Sequence, residues 1–347
     1  MIRAVTLRDV AERAGVHAST ASRALNRSTR ALVSEDTADR VVRAARDLGY
    51  QPNSLARGLK TNKTYTVGML LPDLTNPLFP PIARGIEDTL GRSDYTLILA
   101  NTDNDPAREH QMLQTMLTRR VDGLILATAE RTDPGIEEVI ASRVPVVLVN
   151  RTMDDASVPS VAGDDHAGIG LAVRHLVSLG HRSIAHISGP HSVSTGLARY
   201  QSFNVWMQNA GLEVDPELIV EAAWFSEEPG ETAFRTLLDR GHRFTAVVAA
   251  NDLIAIGCYN VLKERGLTVG RDVSVVGYND MPFADKLDPA LTTIRIPHYL
   301  IGVKSAEAVL EAIESGPKEG GVSVRLAPSL VVRDSTGPPV AEMAPAG

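Results

Sequence analysis

The chain has 347 residues, 44% of them apolar and 22% charged, with a formal net charge of −7. That length exceeds one average domain and the apolar share suffices for a large buried core, while the acidic balance argues against a chain that coats nucleic acid along its whole length. The single cysteine, Cys258, excludes an internal disulfide framework. No apolar run reaches transmembrane length and the N-terminus lacks the apolar stretch of a signal peptide, so a cytoplasmic protein with no membrane contact is expected.

The net charge hides an asymmetry. Twelve basic residues stand against six acidic ones up to residue 65, which leaves −13 for the remainder. A basic head on an acidic body suggests that only the head approaches a polyanion.

Within "TLRDVAERAGVHASTASRALN", Thr6 followed three residues later by Asp9 is an N-capping signal, and Leu7, Val10, Ala11 and Ala14 mark one helical face that Gly15 ends. A second helix starts near His17 and runs to about Asn26, with Ala21, Ala24 and Leu25 apolar. Two short helices joined by a glycine-containing turn match a helix-turn-helix. Ala18, Ser19, Ser22 and Arg23 are expected on the outer face of the second helix, where small polar side chains and an arginine can meet base edges in a major groove. A third helix follows Ser34, with Glu35 and Asp36 at its start, Val41, Ala44, Ala45 and Leu48 along one face, and Gly49 just beyond its end. The head is therefore a three-helix bundle over residues 1–52.

"QPNSLARGLKTNKT" comes next. Pro52 breaks the chain and Asn53 can cap a helix from Ser54 to about Thr61, too short to be stable alone. Residues 53–64 read as a hinge helix and linker. Leu55 and Leu59 share a face beside Ala56, Arg57 and Lys60. Such leucines serve either as wedges between base steps in a minor groove or as packing against the body, and the residues alone do not choose.

From Tyr65 onward apolar runs alternate with amphipathic ones. Strands are expected at 66–73, 96–102, 123–127, 145–150, 183–189, 246–251 and 273–280, with helices between them at Pro106–Arg120, His166–Gly180, Ala198–Ala210, Asp252–Arg265 and Tyr299–Glu314. Near-continuous apolar strands separated by helices indicate parallel sheets covered on both faces. The rhythm breaks over "RTMDDASVPSVAGDD", which reads as a crossing segment between two α/β lobes. Ligands are then expected in the cleft, at the carboxyl ends of the strands. Asp73, Asn76, Asn101, Asp103, Asn150, Arg151, Asp164, Asn251, Asp252, Asn279 and Asp280 gather at those ends, although some will only cap the helices that follow. No Walker, dinucleotide or nucleophile-elbow motif is present, so neither an enzyme nor a cofactor is expected. His175, His181, His186 and His191 recur at five- or six-residue spacing, which is not a zinc pattern, and Cys258 reads as a core thiol.

In order along the chain, "TLRDVAERAGV", "SRALN", "LGYQPNSLARGL", "VGMLLPDLTNPLF", "RRVDGLILA", "PVVLVNR", "LVSLGHRSIAHISGP", "AANDLIAIG", "DVSVVGYND", "LDPALTTIRIP" and "LVVRDST" resemble the LacI/GalR family of transcription regulators over essentially the whole length. The resemblance implies an N-terminal helix-turn-helix head, a hinge helix, and a core over 65–340 like that of periplasmic sugar-binding proteins. Its N-lobe would span about 65–163 and 293–322, its C-lobe about 164–292 and 323–340, with 341–347 a disordered tail. It implies a homodimer that represses from a near-palindromic double-stranded DNA operator until a small effector, a sugar or a related acid, changes lobe closure. The alternative is a cytoplasmic solute-binding protein without a transcriptional role.

By the same resemblance Thr6, His17, Ala18, Ser19, Ser22, Arg23 and Asn26 fall on DNA-contacting positions, with Asn53, Leu55, Ala56, Leu59 and Lys60 in the hinge and Leu59 the minor-groove wedge. Leu78, Phe79, Asn101, Asn150, Arg151, Asp164, Arg199, Phe225, Asn251 and Asn279 fall on effector-binding positions. This sequence departs from the family pattern in places. His17 stands where a serine usually caps, so capping there is in question. The "NRSTRALVS" loop is about two residues longer than the commonest form, and Leu78 replaces a frequent aromatic. Asn150 and Asn279 replace frequent aspartates, which beside Arg151 and Arg199 points to an acidic effector, with a neutral sugar as the alternative. No leucine heptad follows "LVVRDSTGPP", so no tetramer-forming tail is expected.

Overall fold

In the computed structural model, residues 5–26, 29–50, 61, 63–154, 158–316 and 322–340 are described. The chain divides into two compact units between Thr64 and Tyr65. Hinge residues Asn53, Leu55, Ala56, Leu59 and Lys60 and the tail 341–347 lie outside the described residues.

The first unit holds α1 (Leu7–Ala14), α2 (Ala18–Leu25) and α3 (Glu35–Asp47). Thr6 and Asp9 form a reciprocal capping box on α1, which satisfies two of the helix's free N–H groups. Gly15 takes φ 66°, letting the Val16 amide donate back to the Ala11 carbonyl. Gly49 does the same after α3 at φ 65°, with Tyr50 donating to Ala45. Val10, Ala11, Ala14, Ala21, Ala24, Ala38, Val41, Ala44 and Ala45 form the core. A core built largely of alanines lets three short helices approach closely.

The second unit is two α/β lobes. Its strands are β1 (Thr66–Leu71), β2 (Thr96–Asn101), β3 (Gly123–Leu126), β4 (Val146–Val149), β5 (Ser160–Gly163), β6 (Ile184–Ser188), β7 (Ile219–Glu221), β8 (Ala246–Ala249), β9 (Ser274–Asn279), β10 (Thr292–Arg295), β11 (Ser323–Leu326) and β12 (Ser329–Val331). The helices are α4 (Phe79–Arg92), α5 (Pro106–Thr118), α6 (Pro134–Ala141), α7 (Asp165–Ser178), α8 (Ser194–Asn209), α9 (Glu227–Asp239), α10 (Asp252–Glu264) and α11 (His298–Ser315). One sheet runs β11-β5-β4-β3-β1-β2, all parallel; the other runs β12-β10-β9-β8-β6-β7, parallel except for the β10–β12 pair. In each sheet the strand order reverses beside the first strand, β1 or β6, which opens a crevice at the carboxyl ends.

The lobe limits differ from those expected. Thr292–Arg295 pairs with β9 in the second sheet, so this stretch leaves the N-lobe, while Ser323–Leu326 pairs with β5 and joins it. The segment expected to be a plain crossing contains β5 itself. These strands have four residues each, too few to carry a periodicity, and only their pairing partners place them. Helix α11 returns to the N-lobe and crosses α4 closely: a Cβ on Gly302 would sit 2.0 Å from the Ile82 carbonyl oxygen, and one on Gly85 would sit 2.2 Å from that of Tyr299.

Candidate functional site

On the head, Ser19, Ser22 and Arg23 point outward from α2, and Thr6 and His17 are exposed beside it. Arg23 makes no ion pair among the described residues, whereas Arg8, Arg30 and Arg40 each face a carboxylate on the head itself. His17 does cap α2: its Nδ1 accepts the Ser19 amide at 3.3 Å and lies 2.8 Å from the Ser19 hydroxyl. The imidazole thus replaces the usual serine, and it engages Ser19 in doing so. Ala18 corrects the expected outward face. It is half-buried on the head core, because residues 18, 21 and 25 share one helical stripe. Asn26 is half-buried at the helix end, its carbonyl accepting the Thr29 amide.

In the second unit a cavity of about 290 Å³ opens between the lobes. The N-lobe contributes Pro72, Asp73, Asn76, Leu78, Phe79, Asp103, Asn104, Asn150 and Arg151; the C-lobe contributes Thr195, Arg199, Trp224, Phe225, Ser226, Asn251 and Asn279. Eight of the ten expected effector residues meet there. Asn101 and Asp164 do not. Asn101 accepts the Leu74 amide at 2.9 Å and donates to Asp103, while Asp164 caps α7 by accepting the Ala167 amide at 2.9 Å. Both polar groups of Asn101 and one oxygen of Asp164 are engaged by local backbone and loop groups. Sequence reading named Asp73, Asn76 and Asp103 only as strand-end residues, and it missed Asn104, Thr195, Trp224 and Ser226. Of these, only Trp224, next to Phe225, carried a signal, since an aromatic pair in a loop is a common mark of a ligand wall.

The two arginines are not free charges. Arg199, 3% exposed, is 2.8 Å from Asp165, donates to the Ala250 carbonyl at 2.6 Å, and has its Cζ 3.8 Å from the centroid of the Tyr278 ring. Arg151 is buried and donates to the Thr128 carbonyl at 3.0 Å. Burial pushes its pKa down to about 10, against the pull of Glu109 and Glu130, so the guanidinium keeps its proton at neutral pH beside those carboxylates. Glu109 is itself raised by burial, although a hydrogen bond from the Thr128 hydroxyl opposes the shift.

The two asparagines of the C-lobe wall differ. Asn251 accepts the Ile254 amide at 2.8 Å and donates to the Phe225 carbonyl at 3.1 Å, which ties α10 to the aromatic wall. Asn279, 2% exposed, lines the cavity and has a side-chain oxygen with no hydrogen-bond partner among the described residues. No group of three or more metal-ligating side chains occurs among the described residues. His181 instead bonds Thr245 and the Gly337 carbonyl, and His186 bonds the Val248 carbonyl.

Comparison with known proteins finds two family models on this chain. Residues 6–53 match the bacterial regulatory proteins of the lacI family, and residues 64–328 match the periplasmic binding proteins and sugar binding domain of the LacI family. A ribose operon repressor of Halalkalibacterium halodurans is 33% identical over 331 residues, covering 95% of this chain and 97% of its own. The lac repressor dimer bound to operator and the anti-inducer ONPF superposes with a TM-score of 0.82 at 28% identity, covering 96% of this chain and all of that one. A LacI family regulator from Enterococcus faecium with bound ribose gives a TM-score of 0.69 at 32% identity, over 79% of this chain and 99% of the other.

Proposed function

The chain belongs to the LacI family of bacterial regulatory proteins, and we propose that it is a transcriptional repressor that binds a near-palindromic operator as a homodimer and is controlled by a neutral monosaccharide in the interlobe cleft. The unpartnered side-chain oxygen of Asn279 carries the choice of ligand. A side-chain amide offers one donor and one acceptor in whichever orientation it is placed, so it suits hydroxyl groups, which do the same. A carboxylate ligand would supply acceptors only. It would also find Arg199 already paired with Asp165 and Arg151 set among Glu109 and Glu130. This argues against the acidic effector that two missing aspartates suggested. Phe79 and Phe225 supply apolar walls, and the cavity lies near the lower end of the usual range for small-molecule sites, about 300–1,000 Å³. Two of the relatives support it: one is named for the ribose operon and another holds ribose.

The dimer is supported by the free edge of the first sheet. Leu99 on β2 is 43% exposed and Leu74 51%, around a groove lined by Leu97, Pro80 and Ala83. An apolar edge strand left uncovered is an association surface. Two heads joined in this way read two half-sites, with phosphate contacts supplying a salt-dependent grip and Ser22 and Arg23 facing base edges. The effector needs only a coupling of about 1–3 kcal/mol to shift operator affinity some 5–150-fold.

A thermal-shift series with D-ribose, D-glucose and the corresponding aldonic acids tests the ligand class, and stabilisation by the acids alone would reject it. Gel shifts on DNA upstream of the gene test the regulator reading against that of a plain solute-binding protein. In those gel shifts Leu59→Ala should weaken operator binding and leave sugar-induced stabilisation intact.

A further inference from the structure

Asn279 does not face the cleft in a relaxed conformation. Its φ is 109° and that of Asp280 is 56°, two successive non-glycine residues on the side of the backbone map that side chains disfavour. Such a turn persists only when its surroundings over-determine it. One determinant is visible at Asp280, whose carboxylate is held by Arg295 at 2.6 Å and Arg333 at 2.7 Å. The other is a group without an assigned role. The Asp252 carboxylate is fully buried, and Oδ2 accepts the Met281 amide at 2.7 Å while Oδ1 accepts the Thr293 hydroxyl at 2.5 Å. The Thr293 oxygen in turn accepts the Asp280 amide at 3.4 Å. The backbone makes room for this carboxylate: a Cβ on Gly277, the register partner of Thr293, would lie 2.3 Å from Oδ1.

We propose that Asp252 is a positioning residue of the ligand site, its buried carboxylate clamping the 279–281 turn so that the Asn279 amide is aimed into the cleft. The proposal rests on the reading of that cleft as the sugar site. Asp252 is the first residue of α10, but capping that helix is done by Asn251. The bonds of Asp252 go instead to Met281, just past β9, and to Thr293 on β10, so it links the start of α10 to the turn that carries Asn279. Burying a carboxylate without a cation in contact costs stability, which marks the group as retained for something other than packing. Burial also pushes its pKa up to about 7, against the hydrogen bonds from Thr293 and Met281. The geometry asks of it a pair of oriented hydrogen bonds, to the Met281 amide and the Thr293 hydroxyl. Asparagine can make the same pair, since Thr293 can reverse its hydroxyl.

The test uses the full chain and two readouts. Hydrogen exchange is followed on a fragment covering residues 281–287 of the unliganded protein, reading the Ala284 amide, which donates to the Met281 carbonyl at 2.9 Å and does not touch Asp252. Binding is followed by titration with D-ribose. Asp252→Ala should speed exchange at Ala284 by about tenfold, the equivalent of one lost hydrogen bond, and weaken D-ribose binding to a similar degree. Asp252→Asn should stay within about twofold of the parent in both. Adding Asn279→Gly to Asp252→Ala should restore slow exchange, because glycine holds φ 109° without strain. Unchanged exchange in Asp252→Ala, or equally fast exchange in the double variant, would overturn the clamp. Should Asp252→Ala fail to fold, Thr293→Val removes the shared hydroxyl and is expected to speed exchange at Ala284; slow exchange there would count against the proposal. If D-ribose and its relatives leave the parent protein unmoved, the sugar reading fails, while the exchange result still decides whether Asp252 holds the turn.

Discussion

Replacing Arg199 with methionine removes the most heavily committed side chain of the cleft while keeping its length and apolar stem. The Arg199 side chain is 4% exposed, and its loss leaves Asp165, only 13% exposed in its side chain, as a buried charge without its cation. Breaking a buried pair in this way costs about 3–5 kcal/mol. The orphaned Ala250 carbonyl adds about 1 kcal/mol, and the lost stacking over Tyr278, at 3.8 Å, adds about another. The methionine regains about 1–2 kcal/mol through burial of its own chain, so the net loss is about 3–6 kcal/mol. At roughly 2–4 °C per kcal/mol for domains of comparable size, the melting temperature should fall by about 6–24 °C. Differential scanning calorimetry of the full chain reads this directly, with the head transition as an internal reference. Arg199→Met combined with Asp165→Asn should recover about half the loss, because the uncompensated charge is then gone. A single variant melting within 1 °C of the parent would refute the claim that Arg199 is paired in a desolvated site.

Two further outcomes follow from packing and titration. Gly302→Ala should destabilise the N-lobe by about 1–3 kcal/mol, since the new methyl meets the Ile82 carbonyl oxygen at 2.0 Å and α11 must move off α4. Gly91→Ala, with nothing within 4 Å, should be neutral or stabilising by about 0.5–1 kcal/mol; urea unfolding distinguishes the two. His186 is buried in the second sheet, stacked 4.8 Å from Phe203, and burial pushes its pKa down to about 4. The unfolded chain therefore takes up a proton near pH 6.5 that the folded one refuses, so stability is fully present above pH 6.5 and is lost as pH falls towards 4. At about 1.4 kcal/mol per pH unit the loss is on the order of 3 kcal/mol. His186→Phe should flatten that limb of the urea midpoint against pH, and an unchanged slope would show that other groups set it.

Features encoded by near neighbours in the chain were legible before any fold was known. The Thr6–Asp9 capping box, the glycine stops at Gly15 and Gly49, and the alternation of apolar strands with helices all depend on residues within a few positions of one another. The strand ends were legible for the same reason, because a polar residue after an apolar run lies at a sheet's carboxyl edge. The limits of that reading show at particular residues. Ala18, expected outward, shares a stripe with Ala21 and Leu25 and packs on the head core. Asn101 and Asp164, polar residues at strand ends, close hydrogen bonds on nearby backbone. Thr195 and Ser226 gave no signal, being ordinary residues that only lobe packing brings to the cleft.

Periodicity, caps and charge sufficed to establish a basic three-helix head on a two-lobed α/β body with a cleft at its strand ends, because each is written in short-range sequence. Which lobe owns β10 and β11, which arginine is already neutralised, and which asparagine still lacks a partner were decided only by the tertiary structure. Those are properties of groups tens to hundreds of residues apart, such as Arg199 with Asp165 and Asp252 with Met281 and Thr293. Their energies depend on how much water packing removes around them, and no local pattern in the chain encodes that.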